Sequence, residues 1–470
     1  MAEANLVYAS IAELGALFKR KAVSPVEVTR AVLDRIEALD KDLNAYITVL
    51  REPALRAARQ AERAIRAGRT LGPLHGVPIS LKDLFATRGI RTTNGSKITA
   101  DHVPDRDSTV AARLAAAGAI LLGKVNMHEF AFGPTGVNPH YGTARNPWDR
   151  GRVTGGSSSG SGAAVAAGLC HGSMGTDTGG SVRIPAALCG IVGLKPTYGR
   201  VSRAGVTTLS WSLDHPGPMT RTVRDAALML QAIAGYDPAD PAASPAKVPS
   251  YTRGLGADLK GLRVGLPTDF FRDLVDPEVE AAVQAAAKLM QGLGAKVVEV
   301  SLPHFQYAAA IALVILTAEA TAYHAPYLRS RPADYGADIR ERLRLGHFLT
   351  ATQYLNAQRA RTSLLDDTRA AFGAVQAILS PAAPIAAPRI DEFTIQWPTR
   401  REDARSALPR FTRPWNLTGL PTISVPCGFT SGGLPIGLQI AGKPFDEPTV
   451  LRIAHAYEQA TAWHTRRPPV

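Results

Sequence analysis

Alternating apolar and polar segments along the chain predict helices interleaved with short buried strands. Near the N-terminal end, Ser10 with Glu13 and Ser24 with Glu27 each form a capping-box pattern, which marks the start of an amphipathic helix. Farther along, short apolar runs alternate with helical periodicity, which is typical of an α/β protein with a largely buried sheet. The predicted strands are 77–81, 119–122, 262–266, 297–300 and 422–425, and the predicted helices are 109–117, 163–169, 278–293 and 449–461.

Two longer regions complete this outline. Residues 237–250 are rich in Pro, Ala and Ser and have little periodicity, so we expect a surface connection there rather than a domain linker. The region of roughly 305–375 is mostly helical in pattern and is expected to form a cap-like part of the protein. Its most apolar run, 308–317, is too short to span a bilayer and is followed by Glu319, so we interpret it as a buried helix.

The composition narrows the class of protein. The 470 residues are 45% hydrophobic and 20% charged, which are ordinary proportions for a globular protein. The net charge of +13 raises the alternative of nucleic-acid binding, but the basic residues are dispersed and no zinc-finger, RRM or basic-zipper pattern occurs. We therefore expect no nucleic-acid partner.

Cysteine usage and the first residues indicate a cytoplasmic protein. The cysteines are odd in number and far apart, so neither a disulfide framework nor a metal site is expected, and a reducing compartment fits. The first residues have neither the basic nor the apolar region of a signal peptide, and we expect no membrane partner. The three cysteines are Cys170, Cys189 and Cys427.

Residues 155–162 hold four serines and four glycines, a composition that is often a flexible linker. Here the segment is followed directly by 163–168, a run of small apolar residues that has no place in a solvated linker. Backbone N–H groups that lead into a helix N-terminus favour an anionic or polarised group. For this stretch alone, linker and binding segment remain open alternatives.

A second glycine-rich stretch, 175–185, contains a serine placed for nucleophilic attack. Its backbone N–H groups can turn inward together, because glycine lets the backbone approach a ligand closely. Ser181 would then lie beside its own oxyanion hole. The alternative is a plain glycine-rich turn with a solvated serine. The N–H groups concerned belong to Thr178, Gly179, Gly180 and Ser181.

A base for this serine is found in Lys82. A serine hydroxyl is a weak nucleophile and needs a base. Lys82 ends an apolar strand, where it would be half buried, and burial lowers the pKa of a lysine from about 10.4 toward neutrality. The alternative is a solvated lysine at a strand end. Histidine, the usual base, occurs without a supporting pattern at His75, His128, His171 and His215.

Taken together, these segments resemble the amidase signature family. In that family a Gly/Ser-rich segment begins with a serine 24 residues before the nucleophile, and Ser157 lies 24 residues before Ser181. The lysine of the family lies in a strand-end motif similar to 78–83. Further similar motifs are 123–127 (GKVNM), 145–148 (RNPW), 193–200 (GLKPTYGR), 416–421 (NLTGLP) and 433–439 (GLPIGLQ). The likeness covers nearly the whole chain and is densest in roughly 74–224.

The resemblance implies a fold and a set of roles. The fold would be a single large α/β/α domain, residues 1–470, around a central mixed sheet, and the chemistry would need no metal or organic cofactor. Ser181 resembles the nucleophile, Ser157 the bridging serine that precedes a cis peptide bond, and Lys82 the base. The four N–H groups named above resemble the oxyanion hole. Supporting hydrogen-bond partners are implied at Ser158, Thr176, Asp177 and Arg183, with Arg183 buried and paired with Asp177. Ser159 replaces a glycine common in the family, which bears on the loop geometry and not on the triad.

The family also includes the glutamine-hydrolysing subunits of glutamine-dependent tRNA amidotransferases, and the resemblance implies how those subunits hold glutamine. Arg361 matches the arginine that binds the glutamine carboxylate, but Pro409 stands where an aspartate would bind its amino group. Ala312 and Leu313 are aliphatic where those subunits carry tyrosine. Because an unpaired charge is costly to bury, we expect a stand-alone amidase for a less polar amide. The alternative is a glutamine-hydrolysing amidotransferase subunit.

The expected substrates are small hydrophobic or aryl amides, with carbamates (urethanes) and esters as further candidates for the same chemistry. A third class, a binding protein with an inactive site, is disfavoured by the intact set of Lys82, Ser157 and Ser181. Assembly as a homodimer is left open. The candidate pocket residues are Phe130, Ala131 and Phe132. Further candidates are Leu313, Leu316, Phe411 and Trp415, for each of which a plain core position is the favoured alternative.

Overall fold

The computed structural model describes residues 6–470. In that part of the chain, 11 strands form one sheet and two pairs of short strands form separate ribbons. The strands are β1 (Tyr46–Val49), β2 (Pro78–Lys82), β3 (Ile120–Val125), β4 (Arg145–Asn146), β5 (Asp149–Val153), β6 (Gly172–Asp177), β7 (Val192–Lys195), β8 (His215–Thr220), β9 (Arg263–Pro267), β10 (Lys296–Val300), β11 (Ala377–Pro381), β12 (Thr394–Gln396), β13 (Arg401–Asp403), β14 (Thr422–Phe429) and β15 (Pro435–Gly442).

The large sheet is mixed, in the order β1-β3-β2-β6-β8-β7-β14-β15-β11-β9-β10. Strand β2 runs parallel to its neighbours β3 and β6, and β9 runs parallel to β10 and β11. The remaining neighbours in the sheet are antiparallel. The predicted α/β class with a central mixed sheet is confirmed.

Helices fill many of the connections between the strands. The α-helices are α1 (Ile11–Lys19), α2 (Pro25–Leu43), α3 (Arg51–Arg66), α4 (Thr109–Ala116), α5 (Ser159–Ala166), α6 (Arg183–Cys189), α7 (Val223–Ile233), α8 (Pro277–Gly292), α9 (Ala308–Ser330), α10 (Ala337–Leu345), α11 (Ala351–Ala374), α12 (Ala404–Ala407), α13 (Arg413–Leu417) and α14 (Glu447–Gln459). Short 3₁₀ helices occur at Glu129–Ala131, Phe270–Arg272, Pro303–Tyr307, Pro332–Asp334, Gly346–Phe348 and Trp463–Thr465.

Helices lie on both faces of the sheet, and strand β15 contacts one on each side. Gly437 lies against α6, because a Cβ added to it would be 2.5 Å from the Cβ of Ala187. Gly442 lies against α14, because a Cβ added to it would be 2.3 Å from Cγ2 of Val450. Odd and even positions of one strand face opposite sides of a sheet. The expected α/β/α layering is therefore present.

Most predicted elements are confirmed, and one is displaced in an informative way. Both capping boxes form, at the start of α1 and of α2. The helix predicted at 163–169 is instead Ser159–Ala166 and begins inside the Gly/Ser segment. A Cβ added to Gly160 would lie 2.3 Å from the carbonyl oxygen of Ala45, so glycine allows close packing there. The segment 155–162 is buried core and not a flexible linker.

The two longer regions also fold as their patterns indicate. Residues 237–250 contain neither helix nor strand. The region of roughly 305–375 consists mainly of α9, α10 and α11, and α9 packs against both of the others. The limits of the domain and of the cap-like region stay predictions.

One helical stretch, Pro303–Ser330, has 28 residues and a mean hydropathy of 1.5 in its most apolar window, so by length and composition alone it could cross a membrane. The run 308–317 is only part of this stretch, because the helix continues past Glu319. Half of that window is buried inside the protein.

Candidate active site

The predicted base lies where two parallel strands end side by side. Lys82 is the last residue of β2, and Thr176 and Asp177 end the neighbouring strand β6. The carboxyl ends of parallel strands share one edge of a sheet, which is where ligands bind in α/β proteins. Helix α5 packs on both strands and is preceded directly by Ser157 and Ser158, so the Gly/Ser segment meets the strand ends.

Lys82 is completely buried and its partners are hydroxyl groups. Its Nζ donates a hydrogen bond of 2.7 Å to Oγ of Ser157 and one of 2.9 Å to Oγ1 of Thr176. Within residues 6–470, no carboxylate lies at ion-pair distance from this amine. Burial lowers the pKa of Lys82 to about 7, although the negative charges of Asp214 and Asp177 act in the opposite direction. Near pH 7 a large fraction of this amine is therefore uncharged.

The two serine-rich segments are joined through Ser158. Its backbone N–H donates to the carbonyl oxygen of Ser181 at 3.3 Å, and its hydroxyl donates to the carbonyl oxygen of Thr176 at 3.3 Å. Among the described residues, no hydrogen bond links the hydroxyls of Ser157 and Ser181 directly. One expectation is corrected: the cis peptide bond joins Gly156 to Ser157 and so comes before the bridging serine, not after it.

The glycine-rich turn presents three of the four expected N–H groups. In the described chain, the backbone N–H groups of Thr178, Gly179 and Ser181 have no acceptor within the protein. The N–H of Gly180 instead donates to Oδ1 of Asp177 at 2.8 Å, which removes it from the predicted oxyanion hole. The reason is geometric, because the Asp177 carboxylate lies under the turn and also accepts from the N–H of Val182 at 3.2 Å.

Asp177 and Arg183 form a buried ion pair beneath this turn. Nε of Arg183 donates to Oδ2 of Asp177 at 2.9 Å, and Nη2 donates to Oδ1 at 2.9 Å. Burial alone would raise the pKa of Asp177, but the charge and hydrogen bonds of Arg183 outweigh it and hold that pKa well below its usual range. The carboxylate therefore stays ionised and fixes the turn that carries Ser181.

Residues far along the chain complete this support, and sequence reasoning missed most of them. Arg183 also donates to Oε1 of Gln439 at 2.6 Å and to Oδ1 of Asn416 at 2.7 Å. The hydroxyl of Thr412 donates to the carbonyl oxygen of Gly179 at 2.6 Å. The hydroxyl of Thr178 donates to Asp214 at 2.6 Å. The available signal was that Asn416 and Gln439 lie in the motifs 416–421 and 433–439; Thr412 and Asp214 had none.

Glycine is required at position 180 for two reasons. Its φ of +130° is a conformation that other residues rarely adopt. A Cβ at this position would also lie 2.1 Å from Oγ1 of Thr412, which is far inside van der Waals contact. The hydroxyl of Thr412 and the turn therefore fit together only around glycine.

Ser181 opens into a cavity of about 300 Å³. This volume is at the small end of the range for ligand sites, about 300–1,000 Å³, so it suits a small molecule. Thr178 and Gly179 border the same cavity, which brings the unpaired N–H groups beside it. The wall is formed by Ala131, Phe132, Gly133, Pro134, Ile184, Leu209, Ala312, Leu313, Leu316, Thr317, Arg342, Leu345, Arg405, Ser406, Pro409 and Arg413.

The predicted pocket residues divide into two groups. Those that line the cavity are Ala131, Phe132, Leu313 and Leu316. The other three are core: Phe130 packs edge-on against His324 at 4.4 Å between ring centroids, and Phe411 and Trp415 pack against Phe271. The pocket expectation for Phe130 is therefore wrong, because its ring packs in the interior and does not line the cavity. For Phe411 and Trp415 the favoured core alternative holds.

The glutamine-binding expectation is also revised. Arg361 donates to the carbonyl oxygen of Leu417 and does not border the cavity, so it is not placed to bind a carboxylate beside Ser181. Pro409 does border it, at the position where the resemblance would require an aspartate. Three arginines in the wall make the cavity more polar than the expected apolar pocket.

Comparisons with known proteins identify the family. The sequence model of the family named Amidase matches residues 27–451. The chain is 47% identical to the GatA-type component of the glutamyl-tRNA(Gln) amidotransferase from Geobacter metallireducens, over 97% of the chain and 98% of that protein. It is also 47% identical to an amidase from Pseudomonas putida, over 99% of the chain and 98% of that protein.

A solved structure extends the likeness to three dimensions. A bacterial aryl acylamidase of the amidase signature family superposes with a TM-score of 0.90 at 29% identity, over 97% of this chain and 98% of that one. Sequence model, relatives and structure thus agree over nearly the full length. The chain belongs to the amidase signature family of enzymes that act on C–N bonds.

Proposed function

We propose that the protein hydrolyses the C–N bond of small linear amides through an acyl-enzyme formed on Ser181. The observation that supports this most is the contact of 2.7 Å between the buried amine of Lys82 and the hydroxyl of Ser157. A lysine with a lowered pKa and a hydroxyl partner is suited to accept a proton. Ser181, which is tied to the same segment, opens into the cavity.

In the proposed reaction, neutral Lys82 takes the proton of Ser157 while Ser157 takes the proton of Ser181. The Ser181 oxygen attacks the carbonyl carbon, and the N–H groups of Thr178 and Gly179, with that of Ser181 itself, stabilise the negative oxygen. When the C–N bond breaks, the proton held by Lys82 returns through Ser157 to the leaving nitrogen. Water then attacks the acyl-enzyme by the same relay, which releases the acid and restores Ser181.

The relay requires the hydroxyls of Ser157 and Ser181 to come within hydrogen-bond distance when substrate binds. Catalytic hydrogen bonds often tighten only in the substrate complex. Rotation of the Ser181 side chain about its Cα–Cβ bond would move its oxygen without disturbing the turn. Ser158, Thr176, Asp177 and Arg183 would hold the parts of the relay in place.

The proposed substrates are small amides with an apolar or aryl part. Carbamates (urethanes) and esters of similar size would follow, because their carbonyl carbon is attacked in the same way. The residues that support an apolar part are Ala131, Phe132, Ile184, Leu209, Leu313 and Leu316. The aryl acylamidase with a similar structure agrees with this class of substrate.

We further propose that residues 1–470 act as one cytoplasmic domain, in which the signature core, roughly 74–224, carries the chemistry and the helical region, roughly 305–375, caps the cavity. Helices α9 and α10 support the cap, because they contribute Leu316 and Arg342 to the cavity wall. No nucleic-acid or membrane partner is proposed, and a homodimer remains an open prediction.

The second candidate is the glutamine-hydrolysing component of a tRNA amidotransferase, which the relative from Geobacter metallireducens favours. Such a component would work with partner chains. The two candidates separate when the purified chain alone is given aryl anilides, aliphatic amides, carbamates and glutamine. We expect turnover of simple amides by the single chain, whereas activity on glutamine alone would favour the amidotransferase.

The nucleophile is tested by Ser181→Ala. We expect hydrolysis to fall at least about a thousandfold, because a relay without its nucleophile keeps only the binding contribution. A fluorophosphonate or sulfonyl fluoride probe should label the wild-type protein at Ser181, as mass spectrometry of the labelled peptide would show. Circular dichroism should report an unchanged fold. A variant that keeps near wild-type hydrolysis would refute the assignment.

A further inference from the structure

Three arginines border the cavity, and two of them are already neutralised. Arg405 forms a two-pronged ion pair with Asp403, with contacts of 2.9 and 2.6 Å from Nε and Nη2. Nε of Arg342 donates to Oδ1 of Asp338 at 3.1 Å. Each of these guanidinium groups therefore has a carboxylate partner within the protein and needs no further anion.

Arg413 differs from both. Within residues 6–470, its guanidinium has neither a hydrogen-bond acceptor nor an ion-pair partner, although the residue is half-buried in the cavity wall. Desolvation, with the positive charges of Arg342 and Arg410 nearby, lowers the pKa of Arg413 to about 10. A partly desolvated cation without a partner is unfavourable, and an anion that entered the cavity would relieve this.

The position of Arg413 relates it directly to the reacting group. It begins helix α13 and follows Thr412, whose hydroxyl holds the carbonyl of Gly179. A Cβ added to Gly179 would lie 3.6 Å from Cγ of Arg413, so the stem of the arginine passes over the glycine-rich turn. Arg413 thus lines the same small cavity as Ser181 and as Thr178 and Gly179, whose N–H groups would bind the oxyanion.

The other residues of the cavity wall favour a negatively charged ligand over a positively charged one. None of the described residues that line the cavity is an aspartate or a glutamate. A substrate ammonium group would find no carboxylate there, whereas a carboxylate would find the planar fork of a guanidinium, whose geometry matches it. The cavity therefore suits an anionic molecule better than a zwitterion such as glutamine.

We propose that Arg413 binds a carboxylate of the substrate, so that the preferred substrate is a small amide that also carries a carboxylate. This inference rests on the proposed amide hydrolysis at Ser181 and specifies its substrate. The carboxylate can belong to the acyl part, as in a monoamide of a dicarboxylic acid, or to the amine part, as in an N-acyl amino acid. Arg413 is then a specificity-determining residue and takes no part in proton transfer.

The test compares charged and uncharged amides of the same shape. The acyl-side probes are succinic and glutaric monoamides against their diamides, and the amine-side probes are N-butyrylglycine against N-butyrylglycinamide. We expect kcat/KM of the wild-type enzyme to be at least tenfold higher for the charged member of one pair. That pair shows whether the carboxylate belongs to the acyl part or to the amine part of the substrate. Arg413→Met should lower this charged-to-uncharged ratio about tenfold to hundredfold, mainly through KM, because hydrogen bonds to charged groups are the strong ones. Arg413→Lys, which keeps the charge but not the fork, should lie between.

The matched control is Arg405→Met, which removes an arginine from the same wall but one that Asp403 already neutralises. Its charged-to-uncharged ratio should change less than about threefold. A second readout does not need turnover: glutarate or N-butyrylglycine should slow fluorophosphonate labelling of Ser181 in the wild-type enzyme and not in Arg413→Met. This also covers the case in which a variant folds poorly, since the wild-type comparison stands by itself.

The inference and the proposed function fail in different ways. If Ser181 is not labelled and no amide is cleaved, the proposed function is wrong. The wild-type enzyme could cleave uncharged amides with the same kcat/KM as charged ones, or the charged-to-uncharged ratio of kcat/KM could be the same in Arg413→Met and wild type. Either result would leave amide hydrolysis standing and overturn the role of Arg413. Preference for glutamine over glutaric monoamide would also overturn it, because that would require a partner for the ammonium group.

Discussion

Two lysines on adjacent parallel strands are both buried but have different partners. Lys82 ends β2 and Lys124 lies one residue before the end of β3, and both are completely buried. The register pairs Lys82 with Val125 and Lys124 with Leu81, so the two amines point to opposite faces of the sheet. Burial lowers the pKa of both.

The partners of the two amines differ. Lys124 lies 3.4 Å from Oδ1 of Asp83 and donates to the hydroxyl of Thr92 at 2.7 Å, so a carboxylate offsets its charge. Lys82 has hydroxyl partners and no carboxylate in ion-pair contact in the described chain. A third buried lysine, Lys195, donates to the carbonyl oxygen of Pro196 at 3.1 Å, and a carbonyl cannot hand over a proton. Of these three buried lysines, Lys82 alone has hydroxyl partners and, in the part of the chain described, no carboxylate in ion-pair contact. A hydroxyl can donate its proton to a neutral amine, which favours Lys82 as the proposed base.

Removal of the Lys82 amine should strongly reduce activity. Lys82→Met should lower kcat/KM for a simple amide by about 10²–10⁴-fold, the contribution of a positioned general base. Fluorophosphonate labelling of Ser181 should slow as well, because the hydroxyl is no longer activated. The free energy of unfolding at pH 7 should not fall, since no ion pair is broken. If Lys82→Met lost stability but kept its activity per labelled Ser181, Lys82 would be a structural residue and not the base.

Lys124→Met should give the opposite pattern. The substitution leaves Asp83 buried without its cation, and breaking a buried pair in this way costs about 3–5 kcal/mol. We expect that loss in the free energy of unfolding from urea titration. Turnover per labelled Ser181 should stay near wild type, because Lys124 touches neither the serines nor the cavity. A double substitution with Asp83→Leu is the control, and it should recover much of the stability.

Part of the candidate site can be predicted from the sequence. Lys82, Ser157 and Ser181 could be named from local motifs, and the structure brings Lys82 to Ser157 and the Ser158 backbone to that of Ser181. Strands β6 and β8, which carry or flank the site, were not predicted as strands. Their glycines and prolines disfavour a strand locally, and it is pairing inside the sheet that makes them strands. Local pattern could not indicate that long-range pairing.

The cavity wall was the least predictable part. Whether an aromatic residue lines a cavity or packs in the core depends on how helices dock, and Trp415 stacks on Phe271, far away in sequence. Arg413 lies two residues before Trp415 and faces the cavity, but nothing local distinguishes it from the paired arginines. The absence of a partner is a property of the folded chain and not of the sequence pattern.

The pH dependence of activity tests whether Lys82 acts as the base. The pKa of Lys82 is lowered to about 7, and only the neutral amine can accept a proton, so kcat/KM should rise with pH through 7 and level off above it. At pH 5 the rate should be about a hundredfold below the plateau, or tenfold per pH unit. Initial rates in buffers of constant ionic strength would measure this. A flat profile from pH 5 to 9 with folded protein would contradict a lysine base.

The lowered pKa of Lys82 also makes the free energy of unfolding depend on pH. Between pH 7 and about 10.4 the unfolded chain holds a proton on Lys82 that the folded chain has lost. The free energy of unfolding contributed by this group therefore rises with pH in that window. Relative to wild type, Lys82→Met should be most stable below pH 7 and lose this advantage as the pH rises. Urea titrations of both proteins at pH 6, 8 and 9.5 would show the trend.

A smaller effect is expected from Asp214, the carboxylate whose charge acts most strongly on the pKa of Lys82. Burial raises the pKa of Asp214 to about 6, so this carboxylate is still ionised when Lys82 titrates near pH 7, and its negative charge favours the protonated lysine. Asp214→Asn keeps the shape and removes the charge. The acid limb of the kcat/KM profile should therefore move to lower pH, by less than about one unit. Movement to higher pH would mean that Asp214 acts on Lys82 through structure and not through charge. The hydroxyl of Thr178, which donates to Asp214, can still donate to the asparagine oxygen, so the plateau rate should change less than the midpoint.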